Sequence, residues 1–206
     1  MTKIASHGGI IRLMKNRIGI FSGSFDPVHE GHIEFALQAV KTARLDYLYF
    51  LPDIEPRHKS DVTHVAHRLE MLKLAIKPHP SLRVLELPDK KFSIATTLPR
   101  LNSHFKDDEL FYVCGSDVLT YMQSWPLIEG FLKSVGLIIG IREGQDPNTI
   151  KQALASLPTS PKEMFIMKSP MPNMSSSQIR DDLGHAGLLT STAEYVDSNK
   201  LYRRIN

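Results

Sequence analysis

Two histidines three residues apart are the side chains whose spacing first suggests chemistry. His29 and His32 follow a short apolar run and open a stretch with helical periodicity, so both rings should lie on one face of a helix start. Asp26-Pro27 just before them is a helix-start signature, because the Asp side chain can accept from the first amides and Pro presets φ. Imidazoles beside unpaired amides at a helix N-terminus predict a phosphate site.

Two glycines in this loop fit the prediction. Gly23 lets the chain turn sharply and lets a ligand approach the backbone closely, and Gly31 leaves room between the histidines. The loop has neither the Gly-Lys-Ser/Thr end of a Walker A loop nor the Gly-x-Gly-x-x-Gly fingerprint. No carboxylate or third histidine stands nearby at ligand spacing, so we predict no protein-held metal. The alternative is that both histidines are solvated surface side chains.

A second candidate anion site lies near the other end of the chain. Ser175 and Gln178 have the spacing of a capping box, which predicts a helix start. Ser176 and Ser177 would place hydroxyls at that start, and Arg180 follows one turn later with a guanidinium suited to phosphate. The alternative is an ordinary serine-rich cap with a surface arginine.

Apolar runs alternate with amphipathic stretches, and these elements must position both motifs. We predict strands over 18–22, 47–51, 82–87, 110–114, 135–141 and 163–167. We predict helices over 33–43, 63–76, 93–105, 149–156, 176–185 and 192–196. This alternation predicts a doubly wound α/β fold with a mostly parallel sheet and a small helical C-terminal part. Ligands of such sheets bind beyond the carboxyl ends of the strands.

The domain is expected to occupy residues 17–206, and residues 1–16 are expected to be a mobile extension. Net charge is +3, and the lysines and arginines are dispersed without interleaved aromatic residues, so no nucleic-acid partner is expected. The single cysteine, Cys114, favours a reducing, cytoplasmic compartment. No apolar run approaches the roughly 20 residues of a membrane span, so no membrane partner is expected. Whether the chain forms a homo-oligomer stays open.

The two motifs together resemble a nucleotidyltransferase superfamily with a His-x-Gly-His signature and a Ser-Ser-Thr/Ser-x-Ile-Arg signature. Further segments resemble its nicotinate-mononucleotide adenylyltransferase branch: Glu55–Lys59, His67–Leu72, Gly115–Asp117 with Trp125, and Glu194–Tyr202. This chain departs from the branch at Phe92–Leu98, a region that helps to hold the pyridine carboxylate in the family. It also has Arg57 where the branch has a second proline, which adds positive charge, and Ser177 where threonine is usual.

The resemblance implies a Rossmann-like enzyme that transfers AMP from ATP to nicotinate mononucleotide, releasing pyrophosphate and forming deamido-NAD. The attacking phosphate is already anionic, so catalysis needs positioning and charge stabilisation rather than a general base. Mg²⁺ would be bound by the substrate phosphates. Two alternatives stay open: another phosphorylated acceptor, such as nicotinamide mononucleotide or phosphopantetheine, and a non-catalytic nucleotide-binding module.

The resemblance also implies roles for individual residues. The catalytic residues would be His29, His32, Lys59 and Arg180. ATP and its phosphates would be bound by Gly23, Ser24, Phe25, Gly31, His58, Gly115, Asp117, Ser176 and Ser177. The acceptor would be bound by Trp125, through stacking on the pyridine, and by Thr96. For Trp125 the alternative is core packing. Arg68 lies in the segment His67–Leu72 that resembles the family, and its alternative interpretation is an ordinary surface or salt-bridge residue.

Overall fold

Strands and helices alternate along most of the chain. The computed structural model describes residues 4–5, 12–13, 15–57, 61–141, 144–168, 174–182 and 185–202. The strands are β1 (Ile4–Ala5), β2 (Arg12–Leu13), β3 (Arg17–Gly23), β4 (Tyr47–Pro52), β5 (Leu82–Val84), β6 (Glu109–Gly115), β7 (Gly136–Ile141) and β8 (Met164–Lys168). The helices are α1 (Glu30–Thr42), α2 (Val65–Ile76), α3 (Thr97–His104), α4 (Ser116–Met122), α5 (Ile128–Ser134), α6 (Pro147–Ala155), α7 (Ser176–Asp182) and α8 (Thr190–Ser198). Within these ranges, no helix has the length and apolar character needed to cross a membrane.

Six strands form one parallel sheet in the order β5-β4-β3-β6-β7-β8. The chain builds outward from β3 to one edge and then returns to build the other half from β6. Strand order therefore reverses between β3 and β6, whose carboxyl ends form the switch point where such sheets bind ligands. The predicted doubly wound α/β fold is confirmed.

Apolar side chains cover the sheet on both faces. On β7, Leu137 and Ile139 belong to one cluster and Ile138 belongs to the other, as alternation along a strand requires. The first cluster includes residues of α3, α4, α5 and α6, and the second includes residues of α1, α2, α7 and α8. Cys114 of β6 lies in the first cluster, where burial raises the pKa of its thiol to about 12. Burial on both faces explains why the strands read as continuous apolar runs.

Short elements account for the differences from the sequence predictions. Neither α4 nor α5 is predicted: each has only seven residues, fewer than the window in which helical periodicity is read, and neither begins at a capping pair like that of α7. The strand predicted over 82–87 ends at Val84. The helix predicted from Ser93 begins at Thr97, since the amide of Ser93 donates to the Thr97 hydroxyl over 3.0 Å and closes a turn instead.

The segment before β3 is described only in part. β1 and β2 pair with each other in antiparallel orientation. The amide of Asn16 donates to Oδ1 of Asp108 over 3.0 Å, which ties the chain to the domain just before β3. The rest of residues 1–14, for which we predict mobility, lies outside the described residues.

Gly140 of β7 lets α1, the helix that follows the histidine loop, pack close to the sheet. A Cβ atom at Gly140 would lie 2.4 Å from Cε2 of Phe35, a buried residue of α1. We expect Gly140→Ala to lower the free energy of unfolding by about 1–3 kcal/mol, the usual cost of overpacking a core. Urea denaturation measures this change.

Gly130→Ala is the matched control for this substitution. Gly130 lies in α5, and no described heavy atom outside its chain neighbours and the backbone of its own helix lies within 4 Å of its Cβ position. Alanine should be neutral there or should stabilise the helix by up to about 1 kcal/mol. Equal losses of stability in the two variants would contradict the packing explanation.

Candidate active site

The two histidines stand side by side at the start of α1. His29 is the N-cap residue, with extended backbone at φ −140°. Its amide donates to Nδ1 of His32 over 3.3 Å, and the two ring centroids lie 3.7 Å apart. His29 is buried and His32 is half-buried. The prediction that both rings share one face of a helix start is confirmed.

The turn between β3 and α1 packs against these rings. Gly23 ends β3, and a Cβ atom there would lie 3.2 Å from Cζ of Phe25. Phe25 has a left-handed backbone conformation (φ 47°), which a bulky residue adopts only where its surroundings hold it. Its buried ring lies 5.2 Å from the rings of both His32 and Phe50. Gly23 therefore makes room for the aromatic ring that supports His32.

The first amides of α1 have acceptors within the protein. The expectation that they are unpaired is wrong, because the C-terminal part of the chain packs against this helix start. The bonds run from Glu30 N to Gly187 O (2.9 Å), from Gly31 N to Met174 Sδ (3.3 Å) and from His32 N to His29 O (2.9 Å). An anion bound here would have to be held chiefly by side chains. A binding role for Gly31 stays a prediction.

Asp26 does not cap α1, which corrects the sequence interpretation of Asp26-Pro27. Its side chain is 1% exposed, and Oδ1 accepts from the Tyr202 hydroxyl over 2.8 Å. Oδ2 accepts from the amide of Thr63 over 3.3 Å. Burial and the neighbouring Asp26 carboxylate raise the pKa of Tyr202 well above its ordinary value, so its hydroxyl stays a neutral donor. The carboxylate therefore joins the loop after β3 to the segment just before α2 and to the end of the described chain.

The predicted helix start at Ser175 is confirmed, with one of the two hydrogen bonds of a capping box in place. The Ser175 hydroxyl oxygen accepts from the amide of Gln178 over 3.2 Å. The Gln178 side chain accepts from the same hydroxyl over 2.8 Å instead of reaching the Ser175 backbone. The cap starts α7, which carries the two serines and the arginine of the second motif.

The two motifs, about 150 residues apart in sequence, are in direct contact. The Ser176 hydroxyl donates to the backbone oxygen of Pro27 over 2.9 Å, across a sequence separation of 149 residues. Nη1 of Arg180 donates to the backbone oxygen of Asp26, and Nη2 donates to the Ser177 hydroxyl over 3.3 Å. The Arg180 side chain keeps 25% of its surface exposed. A guanidinium, two hydroxyls and the histidine loop thus form one connected group.

Arg68 is fully buried, so its interpretation as a surface residue is wrong. Its guanidinium donates to three backbone oxygens: Thr63 O (2.8 Å), Ser24 O (2.7 Å) and Ile54 O (3.0 Å). These bonds tie the loops after β3 and β4 to the start of α2. Burial lowers the pKa of Arg68, whereas the nearby Asp26 raises it. The available sequence signal was its spacing, because Arg68 begins the buried stripe that continues with Met71, Leu72 and Ala75.

The end of β6 presents a second polar group at the switch point. The register pairs Phe21 with Val113, so Gly23 and Gly115 both lie two residues beyond that pair. Ser116 is fully buried and donates to the side-chain oxygen of Gln145, whose Nε2 donates to Oδ1 of Asp117 over 3.2 Å. The exposed Asp117 is thereby held at the edge of the site. Gln145 was not predicted, since it lies in an irregular loop after β7.

Trp125 belongs to an aromatic group on the other face of the sheet. Its ring centroid lies 6.1 Å from Phe92, 5.8 Å from Tyr112 and 6.3 Å from Tyr121. The indole Nε1 is buried and has no hydrogen-bond acceptor among the described residues. Thr96 is exposed at the N-cap of α3. Trp125 therefore combines core packing with an unsatisfied donor, so both interpretations of its ring keep support.

Asp53 links this aromatic group to the histidine loop. Its amide donates to the backbone oxygen of Gly23, and its Oδ1 accepts from the amide of Phe92, both over 2.9 Å. Burial raises the pKa of the Asp53 carboxyl, although the Phe92 bond opposes the shift. Arg57 donates from Nη2 to the backbone oxygen of Phe92 over 3.0 Å. Positive charge therefore borders the aromatic group.

Two predicted phosphate ligands, His58 and Lys59, lie outside the described residues. Among the residues that are described, no three His, Cys, Asp or Glu side chains are grouped as ligands of one metal ion. The remaining predicted residues lie in three places: around His29 and Arg180, at the end of β6 with Asp117, and on the other face of the sheet with Trp125.

Comparisons with known proteins show the family to which this chain belongs. The cytidylyltransferase-like family model matches residues 20–182. A nicotinate-nucleotide adenylyltransferase of Bacillus subtilis is 32% identical over 90% of this chain and 98% of its own length. A probable nicotinate-nucleotide adenylyltransferase of Carboxydothermus hydrogenoformans is 32% identical over 91% of this chain and 98% of its own. A solved structure of the Plasmodium falciparum nicotinic acid mononucleotide adenylyltransferase complexed with NaAD is 18% identical (TM-score 0.75) over 91% of this chain and 97% of that one.

The structural likeness supports the fold, and the sequence relatives extend over almost the whole chain. The match of the family model includes both motifs that meet at the switch point. The chain therefore belongs to the cytidylyltransferase-like family and, within it, to the nicotinate-nucleotide adenylyltransferases, which are nucleotidyltransferases of NAD biosynthesis.

Proposed function

We propose that the switch-point residues hold ATP and nicotinate mononucleotide for transfer of AMP, with release of pyrophosphate and formation of deamido-NAD. The observation that carries this proposal is the contact between the two motifs. Ser176 and Arg180 bond to the backbone of Pro27 and Asp26, two and three residues before His29. One triphosphate can therefore reach both the imidazoles and the guanidinium.

In this mechanism the histidines donate hydrogen bonds to the phosphates of ATP. Nδ1 of His32 accepts from the His29 amide, so the neutral ring carries its proton on Nε2. His29 and His32 hydrogen-bond the α- and β/γ-phosphate oxygens and stabilise charge that develops during in-line attack on the α-phosphate. The acceptor phosphate attacks as an anion, and no side chain becomes covalently modified.

The pyrophosphate end of ATP is assigned to α7 and to the loop after β4. Arg180, with Ser176 and Ser177, holds the leaving pyrophosphate as the α–β bond breaks. Lys59 and His58 lie outside the described residues, and the proposal assigns them to the triphosphate on their residue types alone. The backbone of Gly23, Ser24 and Phe25 lines the path between β3 and α1, and Gly31 leaves space beside the rings.

Mg²⁺ enters with ATP in this proposal. Asp26, the acidic residue that precedes the histidines, is engaged by Tyr202 and Thr63 and is buried. Mg²⁺ prefers oxygen ligands and keeps several waters, which the phosphate oxygens and solvent can supply. When bound, it neutralises phosphate charge, and the chain's own donors orient the triphosphate.

The nucleoside and the acceptor occupy the remaining polar and aromatic groups. Asp117, beside Gly115, contacts a ribose hydroxyl, since Gln145 holds its carboxylate at the end of β6. Trp125 stacks on the pyridine and Thr96 bounds the same subsite. The positive charge of Arg57 at the Phe92 carbonyl favours an acceptor that carries an extra carboxylate, as nicotinate mononucleotide does.

We place the reaction in the cytoplasm, with ATP and the mononucleotide as partners. The chain has one cysteine, and that thiol is buried, as is common for proteins of reducing compartments.

Pyrophosphate release tests the proposal directly. The full chain is assayed with ATP and Mg²⁺ and, side by side, with nicotinate mononucleotide, nicotinamide mononucleotide or phosphopantetheine. We expect the highest kcat/KM with nicotinate mononucleotide. Faster turnover of another acceptor would reassign the substrate, and ATP binding without pyrophosphate release for any acceptor would favour a non-catalytic module.

A further inference from the structure

The buried Asp26 carboxylate lies where it can compete with the phosphates of ATP for the Arg180 guanidinium. Carboxylates and arginine side chains commonly form two-pronged ion pairs. Here Nη1 of Arg180 lies 3.9 Å from Oδ2 of Asp26, beyond hydrogen-bond distance, and donates to the Asp26 backbone oxygen instead. The carboxylate and the guanidinium are neighbours without being joined in a close pair.

Other donors already engage both oxygens of that carboxylate. Tyr202 donates its hydroxyl to Oδ1 over 2.8 Å, and the amide of Thr63 donates to Oδ2 over 3.3 Å. We infer that Tyr202 is a positioning residue: by occupying the Asp26 carboxylate, it leaves the Arg180 guanidinium available to the phosphates of ATP. This inference rests on the proposed role of Arg180 in phosphate binding.

The Tyr202 hydroxyl is suited to this task because it is neutral. A cationic donor would add charge beside Arg180 and Arg68, whereas a phenol satisfies one lone pair without changing the charge of the loop. Tyr202 follows Leu201, whose amide donates to the backbone oxygen of Val196 over 3.0 Å and turns the chain back from α8. Its left-handed backbone (φ 59°) then directs the ring to the loop after β3.

Tyr195 provides a matched control. Its hydroxyl lies 2.9 Å from Nδ1 of His67, so it also links the C-terminal part of the chain to α2, but it does not touch Asp26. Tyr195→Phe and Tyr202→Phe each remove one hydroxyl that bonds to a neighbouring side chain. A purely structural role would make the two variants alike in stability and in ATP binding.

ATP affinity is measured by calorimetry in the absence of acceptor, together with the KM values of both substrates and the melting temperature. We expect Tyr202→Phe to weaken ATP binding and raise the KM for ATP by about tenfold, the order expected for one hydrogen bond to a charged group. The KM for the acceptor should stay unchanged. Tyr195→Phe should match the wild type in ATP affinity and in the KM values of both substrates. Equal ATP affinity in all three proteins, or equal losses in both variants, would overturn the inference.

A double variant distinguishes competition of Asp26 for Arg180 from a general loosening of the loop after β3. In the Tyr202→Phe background, Asp26→Asn replaces the competing carboxylate by a neutral amide, so ATP affinity should recover towards the wild-type value. A further loss, in protein whose circular dichroism shows that it is folded, would contradict competition. If the double variant does not fold, the comparison of the two tyrosine variants decides alone.

The two proposals fail in different ways. A wild-type protein that binds ATP but releases no pyrophosphate with any acceptor contradicts the proposed reaction and leaves the ATP measurements interpretable. A wild-type protein that turns over nicotinate mononucleotide, with Tyr202→Phe unchanged in ATP affinity, contradicts only the role of Tyr202.

Discussion

His32→Ala is expected to slow pyrophosphate release by about 10²- to 10³-fold at saturating substrates, the usual cost of losing one preorganised donor to a developing charge. The ring is held in place before ATP binds, by the His29 amide at Nδ1 and by the rings of His29 and Phe25. Its donor therefore needs little reorganisation during the reaction. The measurement is steady-state pyrophosphate release with ATP, Mg²⁺ and nicotinate mononucleotide.

His64→Ala is the control for the loss of a histidine at a helix start. The Nδ1 atom of His64 accepts from the amide of Ala66 over 3.3 Å at the N-cap of α2, much as His32 accepts from His29. His64 has no proposed contact with ATP, so its replacement should leave kcat within about twofold of the wild type. Equal rates in His32→Ala and the wild type would remove the phosphate role of His32.

Arg68→Met is expected to lower the free energy of unfolding by about 3–5 kcal/mol, as breaking a buried charged arrangement commonly does. The substitution leaves three backbone oxygens without their donor, those of Ser24, Ile54 and Thr63. It also removes a cation near the buried Asp26. Urea denaturation followed by circular dichroism measures the loss. Arg68→Lys should recover only part of it, because one ammonium group cannot span the three acceptors in the fixed geometry of a guanidinium.

Lys73→Met on the same helix serves as the control. Lys73 is 47% exposed and pairs with Glu70 and Glu86 at the surface. Surface pairs of this kind contribute about 0–1 kcal/mol, so stability should change little. Similar losses from Lys73→Met and Arg68→Met would show that the three carbonyl bonds are not the source of the effect.

Local patterns were sufficient for the six-stranded sheet and for the helix that starts at each motif. A strand followed by a helix with a buried stripe is encoded by neighbouring residues, and β3 and α1 agree with their predicted positions within a few residues. The capping pair Ser175 and Gln178 is similarly local. The doubly wound fold then brings the carboxyl ends of β3 and β6 together, since right-handed crossovers leave few other arrangements.

The contacts between distant segments could not be predicted from local patterns. Asp26 has the sequence context of a helix cap, but Tyr202 and Thr63 approach it from elsewhere in the chain and make it a buried acceptor. The partners of Arg68 are backbone oxygens, which have no side-chain identity and so leave no trace in the sequence. Propensity and spacing describe single elements, whereas these bonds depend on how several elements pack.

Cys114 is the single cysteine of the chain, and its burial keeps its thiol from reacting. Oxidants, nitrosating agents and electrophiles attack the thiolate, and a thiol with a pKa of about 12 is almost entirely protonated near neutral pH. The side chain is also enclosed in the core, where such reagents have no access. Catalytic output should therefore not respond to modification of this thiol for as long as the fold remains closed.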